Sequence, residues 1–207
     1  MIQNKALELS LFLTLPASAA LLIASEEIIS ALFGYGSFDQ VSVLNSGKAL
    51  YYFALGLPAF SLIKVFSSFF FANHDTKIPF YISLFSVLIN IVISISYFNE
   101  IGFIIIPIAT TISSWFNAIL LFAFLKNRDL FSFNKIFLVR FVKIIVASLL
   151  MAIFFNFLIT YFKYELAFNQ NIKSFYLILS VILSLLFYLF VSYWIKAFKT
   201  SDIKLKY

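Results

Sequence analysis

The chain has 207 residues, of which 63% are hydrophobic and 12% charged. Soluble domains carry about 25% charged and about 45–50% apolar residues, so the composition excludes an ordinary soluble fold and makes lipid the solvent. The net charge of +6 does not point to nucleic acid, because the 15 basic residues mostly lie outside the apolar runs; nucleic acid is not an expected partner. With no cysteine and one histidine, disulfides, thiol chemistry and a His/Cys metal cluster are excluded, and neither a metal nor a cofactor is expected.

A bilayer-crossing helix needs about 20 predominantly apolar residues. Six stretches qualify: Leu9 to about Leu32, with Glu26 and Glu27 near its end; Ala49 to Ala72, with Lys64 inside; Ile78 to Asn99; Ile101 to Leu125; Ile144 to Phe162; and Ser174 to Ile195. A β-barrel would show strands of about 10 residues with alternating polarity, whereas Ile101 to Leu125 is apolar throughout. The expected fold class is therefore all-α, a polytopic membrane protein with six transmembrane helices. Gly34 and Gly36 after the first stretch, Pro79 opening the third and Gly102 opening the fourth punctuate these boundaries.

Lys5, Lys77, Lys126, Arg128, Lys135, Arg140, Lys143, Lys196, Lys199, Lys204 and Lys206 fall on one side of these spans, and only Lys48, Lys163 and Lys173 on the other. The positive-inside rule then places both termini in the cytoplasm. Lys5, the run Leu9 to Leu15 and Ala17-Ser18-Ala19 imitate a cleavable signal peptide. The run continues through Ile23, however, and Glu8 stands where a signal peptide wants no acid.

No arrangement supports hydrolytic or transfer chemistry, so the chain is not expected to be an enzyme and no catalytic residue is assigned. His74 and Asp75 are loop neighbours, which do not make a triad, and Glu26 and Glu27 read as a solvated helix end. Lys64 stands apart. It lies eight residues from Ala72, about 12 Å along the helix, where a charge costs about 2.5–3.5 kcal/mol unless it faces protein or water. A cavity or helix interface is its expected environment, either capping a neighbouring helix or serving substrate binding and gating. Asn90 and Ser94 share a helix face at i and i+4. Thr110 lies level with them on the antiparallel neighbour, and Asn117 follows seven residues later on the same face. These oxygens read as an interhelical polar cluster or a weak cation site, the former being the commoner use. From Lys126 to Lys143, basic residues interleave with Phe131, Phe133, Ile136 and Phe137, a composition suited to anionic lipid head groups.

Several sequence words recur in one known family. Ala31-Leu32-Phe33-Gly34-Tyr35-Gly36-Ser37-Phe38-Asp39 is followed by Ala49 to Ala59, containing Leu55-Gly56-Leu57-Pro58, and then by Leu62-Ile63-Lys64-Val65. After these come Phe70-Phe71-Ala72-Asn73-His74-Asp75-Thr76-Lys77-Ile78-Pro79 and Trp115-Phe116-Asn117-Ala118. In combination they resemble the MurJ (MviN) lipid II flippase family over about residues 3 to 125; the last two spans match only by position and hydropathy.

That resemblance implies a fourteen-helix fold of the multidrug/oligosaccharidyl-lipid/polysaccharide exporter class, of which this chain resembles helices nine to fourteen. Residues 1–125 would form part of the second lobe. Residues 126–207 would form a cytoplasmic interfacial loop, two extra helices beside the polyprenyl tail and a basic tail. The implied function is translocation of undecaprenyl-linked peptidoglycan precursor across the bacterial inner membrane, with Lys64, Asp75 and Lys77 as substrate or gating candidates. Family members place cavity arginines mostly in helices absent here, and neither Arg128 nor Arg140 replaces them, so a separately encoded N-terminal half is a candidate partner. Some members bind sodium between the helices matching Asn90, Ser94 and Thr110 with an acid's help; no acid stands there, so weak or absent binding is expected. The alternatives are an exporter of another polyprenyl-diphosphate-linked glycan or of a drug, and a structural or assembly subunit without transport.

Overall fold

In a computed structural model the described residues are 2–197, all helices and connections with no strand among them. The helices are α1 (Ile2–Ile23), α2 (Ser25–Phe33), α3 (Gln40–Ala72), α4 (Lys77–Ile101), α5 (Ile105–Asn127), α6 (Lys135–Tyr161) and α7 (Lys173–Trp194). A short 3-10 turn, Gly102–Ile104, joins α4 to α5. Stretches long and apolar enough to cross a membrane are Gln3–Ile23, Gln40–Ala72, Lys77–Asn127, Lys135–Tyr161 and Lys173–Trp194. The third holds the α4–α5 hairpin and so supplies two crossing lengths. The basic tail from 198 onward, with Lys199, Lys204 and Lys206, lies outside the described residues.

Three boundaries differ from those read in the sequence. The first apolar stretch does not continue to Leu32: α1 ends at Ile23, and α2 begins after Ala24, whose ψ of 33° leaves the helical range. Glu26 and Glu27 therefore occupy the first turn of a separate nine-residue helix, where carboxylates are favoured by the unpaired N–H groups. Helix α3 starts nine residues before Ala49, because Gln40 to Lys48 is helical although not continuously apolar. Helix α6 likewise begins at Lys135, shortening the connection after α5 to residues 128–134.

The chain divides into two compact units, the first made of Met1–Thr14 and Leu55–Leu138 and the second of Leu15–Ala54 and Val139–Tyr207. In the first unit α4 and α5 pack antiparallel. Asn90 bonds Thr110 and Asn117 bonds Ser83, two pairs both centred on Glu100. Gly102 makes the reversal with a φ of +74°, a left-handed conformation that glycine adopts without a Cβ penalty. Pro79 and Pro107 each sit in a helix's first turn, where a missing N–H costs no intrahelical bond. Gly56 lets α5 approach α3: a Cβ there would lie 2.9 Å from Thr111 Oγ1. One residue earlier, the Leu55 carbonyl accepts the Trp115 indole N–H at 3.0 Å. The two family words Leu55-Gly56 and Trp115-Phe116-Asn117-Ala118 thus meet at one helix crossing.

In the second unit a core of Ala24, Ala31, Phe155, Ile159, Leu166 and Leu177 ties α2 to α6, α7 and the connection between them. Pro58 in α3 cannot donate to the carbonyl of Ala54 four residues back. That carbonyl instead accepts from Ser18 Oγ at 2.6 Å, so a small hydroxyl in α1 repairs the proline defect where lipid would offer no hydrogen bond.

Candidate functional site

Of the sequence-predicted residues, Asn90, Ser94 and Thr110 come together. Asn90 Nδ2 donates to Thr110 Oγ1 at 3.0 Å and to Ser113 Oγ at 3.3 Å, while Ser94 Oγ donates to Asn90 Oδ1 at 3.3 Å. Thr110 Oγ1 also donates to the Ile106 carbonyl at 2.8 Å. Every Asn90 polar atom is thereby engaged by another side chain, and no acid, His or Cys stands among them. Ser113, buried at 6% exposure, is a member that sequence reading missed; its i+3 spacing from Thr110 was the available signal. Asn117 does not join this cluster. It lies buried two turns further along, with Nδ2 3.4 Å from Ser83 Oγ and Oδ1 lacking a partner.

Lys64 lies in α3 with its side chain exposed. The expectation that it caps carbonyls of a neighbouring helix is not met, since no hydrogen bond or ion pair engages it among the described residues.

Asp75 lies in the α3–α4 connection and Lys77 opens α4. His74 reverses the chain with a φ of 58°, and Asn73 Nδ2 donates to the Phe69 carbonyl at the end of α3. Asp75 Oδ1 accepts from the backbone N–H groups of Lys77 (3.1 Å) and Ile78 (3.2 Å), capping α4, while Oδ2 pairs with Arg128 Nη1 at 2.7 Å. The Ile78 N–H, then the Arg128 guanidinium and the Lys77 N–H, hold its carboxyl below the ordinary 3.8 despite partial desolvation. Asp75 therefore links two turns of the first unit; the Lys77 side chain is exposed.

Beside that link, residues 128–134 fold onto the first unit. Gln3 and Asn4 side chains donate to the carbonyls of Leu130 and Ser132 at 3.1 Å each. Phe131 is buried and stacks on Phe69 with centroids 5.8 Å apart, and Phe133 stacks on Phe137 at 5.4 Å. Phe133 and Ile136 are exposed, so this segment presents part of its aromatic content outward and buries the rest.

Lys173 is the largest departure from the sequence reading, which treated it as a loop charge. It opens α7 at 1% exposure. Its ammonium donates to the carbonyls of Gly34 (2.7 Å) and Phe168 (2.8 Å) and lies 4.3 Å and 4.7 Å from the ring centroids of Tyr35 and Phe168. Ser174 Oγ adds a bond to the Ala31 carbonyl at 2.6 Å and a second contact with Tyr35 Oη at 2.7 Å. Gly34 follows α2, so through that one carbonyl the ammonium meets the helix's negative end, while the Phe168 carbonyl belongs to the connection before α7. A Cβ at Gly34 would lie 2.6 Å from the Ser30 carbonyl and 3.1 Å from Lys173 Nζ. Only glycine leaves room for the lysine, which gives the Phe33-Gly34-Tyr35-Gly36 word a physical basis.

Comparison with known proteins agrees with this geometry. The family model described as "Lipid II flippase MurJ" matches residues 1–177. A probable lipid II flippase MurJ of Rhizobium meliloti (strain 1021) is 40% identical over 151 residues, 73% of this chain and 28% of that protein. The counterpart of Rickettsia prowazekii (strain Madrid E) is 38% identical over 123 residues, 59% of this chain and 24% of its own length. A solved structure, "Lipid II flippase MurJ, inward closed conformation", superposes with a TM-score of 0.74 at 28% identity, covering 92% of this chain and 37% of the other. The chain thus spans less than a third of the length of these curated relatives. On the family match, the shared fold and the membrane-length helices, it is a multi-pass membrane protein that belongs to the MurJ lipid II flippase family.

Proposed function

We propose that this chain forms part of a flippase that moves undecaprenyl-linked peptidoglycan precursor, lipid II, from the cytoplasmic to the periplasmic leaflet of the bacterial inner membrane. In this reading residues 1–125 belong to the second lobe of an alternating-access transporter and residues 126–207 carry the interfacial connection and two further helices. Both termini are cytoplasmic, as the basic residues suggest. The observation that supports the reading beyond family membership is Lys64, an exposed cation within a membrane-length helix with no partner among the described residues. Such a charge is costly against lipid and useful in a cavity that receives a diphosphate. The remaining cationic partners and the rest of the cavity come from outside these residues, either from the same polypeptide or from a separately encoded half.

The Asn90, Ser94, Thr110 and Ser113 set acts in this reading as neutral interhelical glue, with weak sodium affinity because it offers no carboxylate. Asp75 and Lys77 belong to the moving cytoplasmic turn, with Asp75–Arg128 closing it and Lys77 facing the head groups.

The test uses a full-length relative in which this chain replaces the matching segment, expressed in cells depleted of their own flippase. Lys64→Leu in that chimera is expected to abolish rescue with membrane levels unchanged, and Lys64→Arg to retain part of it. Loss of the protein from the membrane would make Lys64 structural, and full rescue by the Leu variant would remove it from translocation.

A further inference from the structure

Glu26 and Glu27 read in the sequence as a solvated helix end; in the structure Glu26 is exposed, Glu27 is half-buried, and the two share a cleft. They line a cleft of about 140 Å³ in the second unit together with Ser30, Gln40, Val43, Leu44, Leu166 and Phe168. Helix α2 is outside the membrane-length stretches. One wall is drawn close because Gly47 has no side chain: a Cβ there would meet Glu26 Cγ at 2.8 Å. Neither glutamate is in an ion pair among the described residues. An independent observation comes from Ser30, which lines the same cleft at 6% exposure with an Oγ that has no hydrogen-bond partner. Buried hydroxyls are nearly always paired, so an orphan beside two carboxylates outside any ion pair is open to a further donor or cation.

We propose that this cleft binds a hard divalent cation of the Ca²⁺ type, with the carboxylates of Glu26 and Glu27 as charged ligands and the Ser30 hydroxyl and Gln40 amide oxygen as neutral ones. The donors are oxygens, which suit Ca²⁺ and Mg²⁺ rather than zinc or copper. Ca²⁺ is favoured of the two because its flexible, longer coordination tolerates a set spread over two helices. No third acidic side chain converges there, and the Lys173 ammonium beneath the Phe168 ring opposes a cation, so the affinity belongs to the weak range of about 10⁻⁴–10⁻³ M. Occupancy would join α2 to the start of α3 at the same end of the unit that Lys173 closes.

Radioactive Ca²⁺ binding to the full 207-residue chain in lipid nanodiscs tests this with Ca²⁺ alone as the probe. One saturable equivalent is expected, weakened at least tenfold by Glu27→Gln, several-fold by Ser30→Ala, and unchanged by Glu100→Gln at the exposed hairpin turn. Ser30→Ala guards against misfolding as an explanation: removing an orphan hydroxyl is neutral or stabilising for the fold, so its loss of Ca²⁺ binding reports ligation alone. Absence of saturable binding up to several millimolar, or wild-type affinity in both Glu27→Gln and Ser30→Ala, would overturn the proposal.

Discussion

Two helix junctions, one in each compact unit, are fastened by different chemistry. In the first, the α4–α5 hairpin is held by neutral amide and hydroxyl groups, Asn90 to Thr110 and Ser113, at 3.0 and 3.3 Å. In the second, α7 is fastened to the end of α2 by a buried ammonium on the Gly34 carbonyl and the Ser174 hydroxyl on the Ala31 carbonyl, the same ammonium also holding the Phe168 carbonyl of the preceding connection. The difference follows from what each partner leaves unsatisfied. Helices side by side in the hairpin have their backbone groups already paired, so only side chains remain to cross-link. Helix α2 ends inside its unit and leaves carbonyls without N–H donors, and a lysine supplies several donors where the helix end is negative.

The largest stability effect is therefore expected at Lys173. Lys173→Met keeps the stem but strands the Gly34 and Phe168 carbonyls, and the chain in detergent should lose on the order of 2 kcal/mol in thermal or denaturant unfolding, since each buried unsatisfied group costs about 1–3 kcal/mol. A variant as stable as the wild type would show that the methionine's packing offsets the lost bonds. Gly34→Ala should destabilise in the same direction, because the new Cβ meets the Ser30 carbonyl at 2.6 Å before it reaches the lysine.

A smaller loss is expected in the hairpin. Asn90→Leu removes two donated bonds and one accepted bond, and interhelical bonds in membranes average about 0.6 kcal/mol, so about 1 kcal/mol is the expected cost. Asn90→Asp would sharpen the comparison: a carboxylate among Ser94, Thr110 and Ser113 should create sodium-dependent stabilisation absent from the wild type. Sodium stabilisation of the wild-type chain that Asn90→Leu removes would contradict the neutral-glue reading.

The smallest effect belongs to the Asp75 turn, and its signature is pH. Its carboxyl titrates below the ordinary 3.8 in the folded chain, so its contribution is fully present above that ordinary value and disappears as the pH falls through the lower folded one. Asp75→Asn should remove this acid-side loss and fray the start of α4, visible as faster amide exchange at Lys77 and Ile78. Unchanged exchange there would show that Thr76 and water cap the helix adequately.

Much of this was legible in the sequence, for reasons that particular residues make plain. The hairpin could be read because its polar residues, Asn90, Ser94 and Thr110, are rare interruptions of apolar runs and the short turn at Gly102 fixes their register. The family words were readable as words, but their purposes were not: that Leu55 and Trp115 meet at one crossing, and that Gly34 makes room for Lys173, are contacts between residues 60 and 139 positions apart. Lys173 was misread because a lysine at the edge of an apolar run is ordinarily a flanking charge; nothing local distinguishes it from Lys163. The break at Ala24 was hidden too, since the run Leu21 to Ile29 is mostly apolar and carries no glycine or proline.

The central claim, that these helices are working parts of a lipid II flippase, is tested most directly by the chimera in which this chain replaces the matching segment of a full-length relative. With membrane insertion verified, the chimera is predicted to sustain peptidoglycan synthesis in flippase-depleted cells and to lose that ability on Lys64→Leu. A chimera that inserts at normal levels yet never supports growth, or one that supports it equally well with leucine at position 64, would contradict the account.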